Sequence, residues 1–134
     1  MKLGSGWQAW RDMKFKESPE TRALCRILER QGAMTYPLIA SGWAPPGWPD
    51  RIIIHPSLHG TIYIEFKLHG EQPTPLQKRI HNDLRQHGAA VYVAYFYLEN
   101  GDKFVGLPGD EYVPYSQFLR RLIAYHDSRT PSAV

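Results

Sequence analysis

The chain has 134 residues, 43% of them hydrophobic, with 16 Lys and Arg against 13 Asp and Glu and a formal net charge of +3. That is one domain's worth of chain with enough apolar residues for a core, which excludes a disordered polymer, and its single cysteine excludes an internal disulfide framework. No apolar run approaches a membrane span and no N-terminal stretch resembles a signal peptide, so a cytoplasmic protein with no membrane partner is expected.

Residues 1–17 form an N-terminal extension whose Trp7, Trp10, Met13 and Phe15 are assigned no element and are free to pack on a partner subunit. Ser18 reads as a helix N-cap with Pro19 at the first helical position, and the helix runs to a stop at Gly32. Leu24, Ile27 and Leu28 recur at helical spacing, and Cys25 beside them reads as a buried thiol. Residues 33–43, "AMTYPLIASGW", read as a strand that Pro37 confines to a sheet edge. A Pro/Gly loop, "APPGWPD", then leads to Asp50, with Trp43 and Trp48 flanking it as caps on the core.

"RIIIH" and "TIYIEFK" are two strands joined by "PSLHG", a hairpin connection. In the second strand Ile62, Ile64 and Phe66 point one way and Tyr63, Glu65 and Lys67 the other. Glu65 and Lys67 therefore share a face about 7 Å apart, and folding the hairpin brings Asp50 to Glu65. Two carboxylates and an ammonium converge on one patch. A close carboxylate pair is costly unless a positive charge compensates it, and Mg²⁺ takes one or two carboxylates plus waters and phosphate oxygens. This is equipment for phosphodiester hydrolysis. The histidines offer less. His55 and His59 are four apart but span a Pro-containing turn, with no cysteine pair beside them, so zinc is not expected.

Further along, Thr74 caps a helix that begins at Pro75, with Leu76, Ile80 and Leu84 as its expected buried stripe and Gln77 and His81 on the adjacent one. Gly88 ends it. "AAVYVAYFYLE" follows as a central, two-sided buried strand. "ENGD" is a hairpin signal returning through "KFVGLP", and "PYSQFLRRLIAYH" is a last helix with Phe118, Leu119, Leu122 and Ile123 facing inward. Residues 128–134 read as a frayed tail.

"GWPD", "IEFK" and "TPLQKRIHNDLRQHGAAVYV" together resemble the VRR-NUC nucleases of the PD-(D/E)XK superfamily, over roughly residues 18–98. The resemblance implies an α/β, restriction-endonuclease-like fold with core order αβββαβ, a mixed sheet flanked by helices. It implies that Gln77 belongs to the active site and that an acid on the first helix does too. Glu17, Glu20 and Glu29 are the candidates. Glu17 precedes the cap and Glu29 lies half-way round the helix from Glu20; the resemblance, which places an acid about one helix length before a glycine such as Gly32, implies Glu20.

The expectation is a single nuclease domain: a catalytic core over 18–98, a C-terminal strand and helix over 99–127, and the tail. Asp50, Glu65, the Phe66 main-chain carbonyl and Glu20 would hold Mg²⁺ or Mn²⁺. Lys67 would orient water or hold the phosphate, and Gln77 would position it. The partner would be DNA, cut as a Holliday-junction-like or other branched structure by a homodimer, since two strands need two sites. A catalytically silent nucleic-acid-binding module on the same fold is the alternative.

Overall fold

The computed structural model describes residues 17–38 and 44–129. The expected packing of Trp7, Trp10, Met13 and Phe15, the loop position of Trp43 and the end of the tail lie outside them.

Ser18 caps the first helix as its sequence demands. Its hydroxyl accepts the Thr21 N–H at 3.1 Å, and α1 (Pro19–Arg30) closes with Gly32 in the left-handed region at φ +95°. β1 (Met34–Pro37) is an edge strand, as Pro37 requires, and is shorter than the run of apolar residues suggests. It pairs antiparallel with β2 (Arg51–Ile54), which pairs antiparallel with β3 (Ile62–Leu68). The helix α2 (Pro75–Gln86) carries the chain across to β4 (Ala90–Glu99), parallel to β3. A parallel pair needs such a crossover, and the αβββαβ order follows.

β5 (Asp102–Gly106) returns from β4 through a two-residue turn with Asn100 at φ +51° and Gly101 at +84°, both left-handed as a hairpin turn of this type needs. A short β6 (Val113–Pro114), absent from the sequence expectation, completes a six-stranded sheet in the order β1 to β6. A 3₁₀ turn (Tyr115–Gln117) leads into α3 (Phe118–Arg129), which extends past the expected start of the tail at residue 128. Its inward face is Phe118, Leu119, Leu122 and His126, with Ile123 only half-buried.

The even-numbered residues of β3 and β4 (Ile62, Ile64, Phe66, Ala94, Phe96) lie in one core with Leu24 and Leu28 of α1, Ile53, Val105 and the apolar stripe of α3. Each large aliphatic group buried there is worth about 1.5–3 kcal/mol. The odd-numbered residues face the other way, under α2. Here the expected stripe is displaced: Leu76 is 43% exposed, Ile80 and Leu84 are half-buried, and the buried residue of the helix is His81. Leu76 and Ile80 instead cover the loop before Asp50. A Cβ on Gly47, which sits at φ +93°, would lie 2.9 Å from Leu76 Cγ and 3.0 Å from Ile80 Cγ1. Glycine lets this loop pass close beneath α2.

Candidate active site

Asp50 precedes β2, and its carbonyl accepts the Leu38 N–H at 2.8 Å, which ties the end of the loop to the segment after β1. Arg51 pairs with Ile64, so one more step of the register sets Asp50 opposite Glu65 on the same face. The Asp50 carboxylate bridges to β3 directly: Oδ2 accepts the Phe66 N–H at 2.8 Å. Lys67 Nζ stands 3.7 Å from Glu65 Oε2. The three residues that strand periodicity brings to one patch are together.

Gln77 joins them from α2. Its side-chain oxygen accepts the Thr74 N–H at 2.8 Å, closing a capping box, and its Nε2 donates to Glu65 Oε2 at 2.9 Å. His81, one turn further on, brings Nε2 to 4.0 Å from Glu65 Oε1. Both Glu65 Oε1 and His81 Nε2 are buried without a hydrogen-bond partner. His81 was legible as the neighbour of Gln77 at i+4, but nothing in a lone histidine marks it as part of a site.

The electrostatics follow from burial. Glu65 is 2% exposed. Desolvation and then the Asp50 charge push its carboxyl above the ordinary range, against the pull of Lys67 and Gln77. Asp50 is also raised, chiefly by burial, against the Phe66 N–H and Lys67. Burial, with Arg85 and Lys67, pushes His81 down to about 4, so it stands neutral at pH 7 and offers no charge to offset the acids. One ammonium faces two desolvated carboxyls, and an oxygen of one has no partner.

The acids at the start of α1 have different partners. Glu20 lies in the first turn of α1, but its carboxylate is 3.9 Å from Lys103 on β5 and its charge acts on Tyr115. The acid whose charge acts on Asp50 is Glu17. It precedes the cap, outside the helix, and makes a two-pronged pair with Arg51, Nη2 to Oε1 at 2.6 Å and Nε to Oε2 at 2.7 Å. Arg51 Nη1 also reaches Thr35 Oγ1 at 2.7 Å. Trp48 packs edge-on against Tyr63, with ring centroids 6.4 Å apart.

A divalent cation fits this donor set. No group of three His, Cys, Asp or Glu side chains suited to a metal occurs among the described residues. Mg²⁺ asks for less, one or two carboxylates with water and phosphate oxygens filling the rest. The raised acid pair and the orphaned Glu65 oxygen are what such an ion would satisfy.

The sheet order, the αβββαβ core and the placement of the helices define a restriction-endonuclease-like fold. No protein-family model and no curated protein matches the chain. Among solved structures it is similar to Hjc of Archaeoglobus fulgidus, a Holliday junction resolvase from an archaeal hyperthermophile. The TM-score is 0.50 and the identity 18%, over 78% of this chain and 98% of that one. At this identity the likeness concerns the fold. Among the described residues no helix is long and apolar enough to cross a membrane.

Proposed function

We propose that this chain is a divalent-metal-dependent DNA endonuclease of the VRR-NUC type that hydrolyses phosphodiester bonds in branched DNA. The observation that carries the reading is the Asp50–Glu65 pair, held side by side by the Phe66 N–H and the Gln77 amide, with Lys67 next to it. The fold likeness to a Holliday junction resolvase supports a structure-selective substrate.

In this mechanism Asp50 and Glu65, with the Phe66 main-chain carbonyl, would hold Mg²⁺ or Mn²⁺. When bound, such an ion would supply Lewis-acid stabilisation of the charge on the phosphate oxygens. Gln77 occupies Glu65 Oε2, and Oε1 keeps no hydrogen-bond partner. Lys67 Nζ orients the attacking water or holds a phosphate oxygen. The water oxygen bonds to phosphorus as one ester oxygen leaves, and a proton from that water ends on the leaving oxygen. Neutral His81 fills the space behind Glu65 without competing for the charge. Of the two acids at the start of α1, Glu17 would act, through Arg51 and on Asp50, while Glu20 pairs with Lys103.

A homodimer supplies the second site that symmetric cutting of two strands requires. The catalytically silent alternative would keep the fold and lose the acids, and here the set is intact. Cleavage of single strands, duplexes, flaps and four-way junctions in Mg²⁺ and in Mn²⁺ tests the reading. Metal-dependent cutting of branched substrates is expected, and binding without cutting in either metal would leave only the binding module.

A further inference from the structure

The sheet face that carries Glu65 and Lys67 does not end at α2. Register places Tyr95 beside Lys67 and Gly106 beside Tyr95. Neighbouring strands are about 4.8 Å apart, so the Tyr95 and Lys67 side chains leave the sheet side by side on one face. Tyr97 follows two residues along β4, and His69 two residues past Lys67. Tyr112 lies over Gly106, where a Cβ would stand 3.1 Å from its ring. The rings form a connected cluster. His69 is edge-on to Tyr97 at 5.2 Å and to Tyr112 at 5.5 Å, Tyr97 and Tyr112 are 5.5 Å apart, and His69 Nδ1 is 2.6 Å from the Tyr112 hydroxyl.

We propose that this aromatic patch, His69, Tyr95, Tyr97 and Tyr112, is a stacking platform for an unpaired nucleobase next to the scissile phosphate. The placement of the phosphate rests on the nuclease reading above. Two observations favour a base over other occupants. The patch is continuous with the proposed site through the Lys67–Tyr95 pair. And the adjoining cavity of about 390 Å³ is lined by His69, Tyr95 and Tyr112 together with Glu71, Gln72 and Asp110, with no Lys or Arg in its wall. Asp110 is held charged by Arg121, which pairs with it from α3. Such a wall offers carboxylate and amide oxygens to the amino and ring N–H donors of a base, while the rings offer faces to its π surface. Flaps and overhangs provide the unpaired nucleotide that a blunt duplex lacks.

The test is fluorescence of 2-aminopurine set in a single-stranded overhang, titrated with the full chain in EDTA so that no chemistry is required. Wild type should quench the probe and bind the overhang more tightly than a blunt duplex. Tyr112→Leu should weaken overhang binding about tenfold or more, with duplex binding unchanged, and Tyr112→Phe should restore it, because stacking and not the hydroxyl is at stake. Tyr97→Leu, predicted to behave alike, serves if Tyr112→Leu does not fold. Equal overhang affinity for wild type and the leucine variants overturns the proposal. So does a change from dimer to monomer in sedimentation for either variant, which would make a second copy the occupant. Quenching that persists in a protein that cleaves nothing with Mg²⁺ or Mn²⁺ would sink the nuclease reading and leave the platform standing.

Discussion

Gln77 Nε2 donates to Glu65 Oε2 at 2.9 Å while its own oxygen accepts the Thr74 N–H at 2.8 Å. One amide thus locks the start of α2 to a site carboxylate, and helix capping and site geometry become one constraint. Gln77→Ala removes both. Loss of a cap costs about 0.5–2 kcal/mol, so a drop of a few degrees in melting temperature is expected. Cleavage should fall at least tenfold, more than that loss of stability explains. Unchanged cleavage in a variant with the lowered melting point would show that Gln77 only caps.

Glu65 gives a pH prediction. Its folded-state pKa lies above the unfolded value of about 4.3, so the fold holds a proton that the unfolded chain has released. The associated stability is present at low pH and is lost as pH rises toward the folded value. Asp50 acts in the same direction. The metal-free protein should melt at lower temperature at pH 8 than at pH 5. Glu65→Gln should flatten that slope and be the more stable of the two at pH 8. Parallel profiles for wild type and variant would contradict the assignment.

The two first-helix acids separate cleanly. Glu17 and Arg51 form a nearly buried two-pronged pair, with side chains 9% and 11% exposed. Breaking such a pair from one side costs about 3–5 kcal/mol. Glu17→Ala should therefore lower the melting temperature by well over 10 °C and weaken metal-dependent cleavage. Glu20→Gln, whose exposed partner is Lys103, should shift stability by less than about 1 kcal/mol and leave cleavage near wild type. A strong, stability-neutral loss in Glu20→Gln would restore Glu20 to the site.

Lys67 should matter to rate more than to fold. Lys67→Ala removes the ammonium 3.7 Å from Glu65, and at least a hundredfold loss of cleavage is expected with a cooperative melt retained. Wild-type cutting by this variant would remove it from the mechanism.

Much of this site was legible because strand periodicity is strict. Glu65 and Lys67 had to share a face, and the hairpin had to bring Asp50 beside them. Both helix starts were written locally, in Ser18-Pro19 and Thr74-Pro75. Helix faces were less legible. The leucine stripe of α2 looked like its core face, yet the sheet beneath presents Glu65, and Gln77 and His81 turn inward to meet it. Apolar periodicity alone cannot find a buried polar interface, because its partner lies on a distant strand. The pairing of Glu17 was not legible for the same reason: its partner Arg51 is 34 residues away. β6 is two residues long, too short to leave a pattern.

The most direct test is cleavage of a synthetic four-way junction by wild type and Glu65→Gln, each in Mg²⁺, in Mn²⁺ and in EDTA. The account predicts cutting by wild type with either metal and none in EDTA, with Glu65→Gln folded, still binding the junction and inactive throughout. Cutting by wild type in EDTA, or by Glu65→Gln at the wild-type rate, would contradict it.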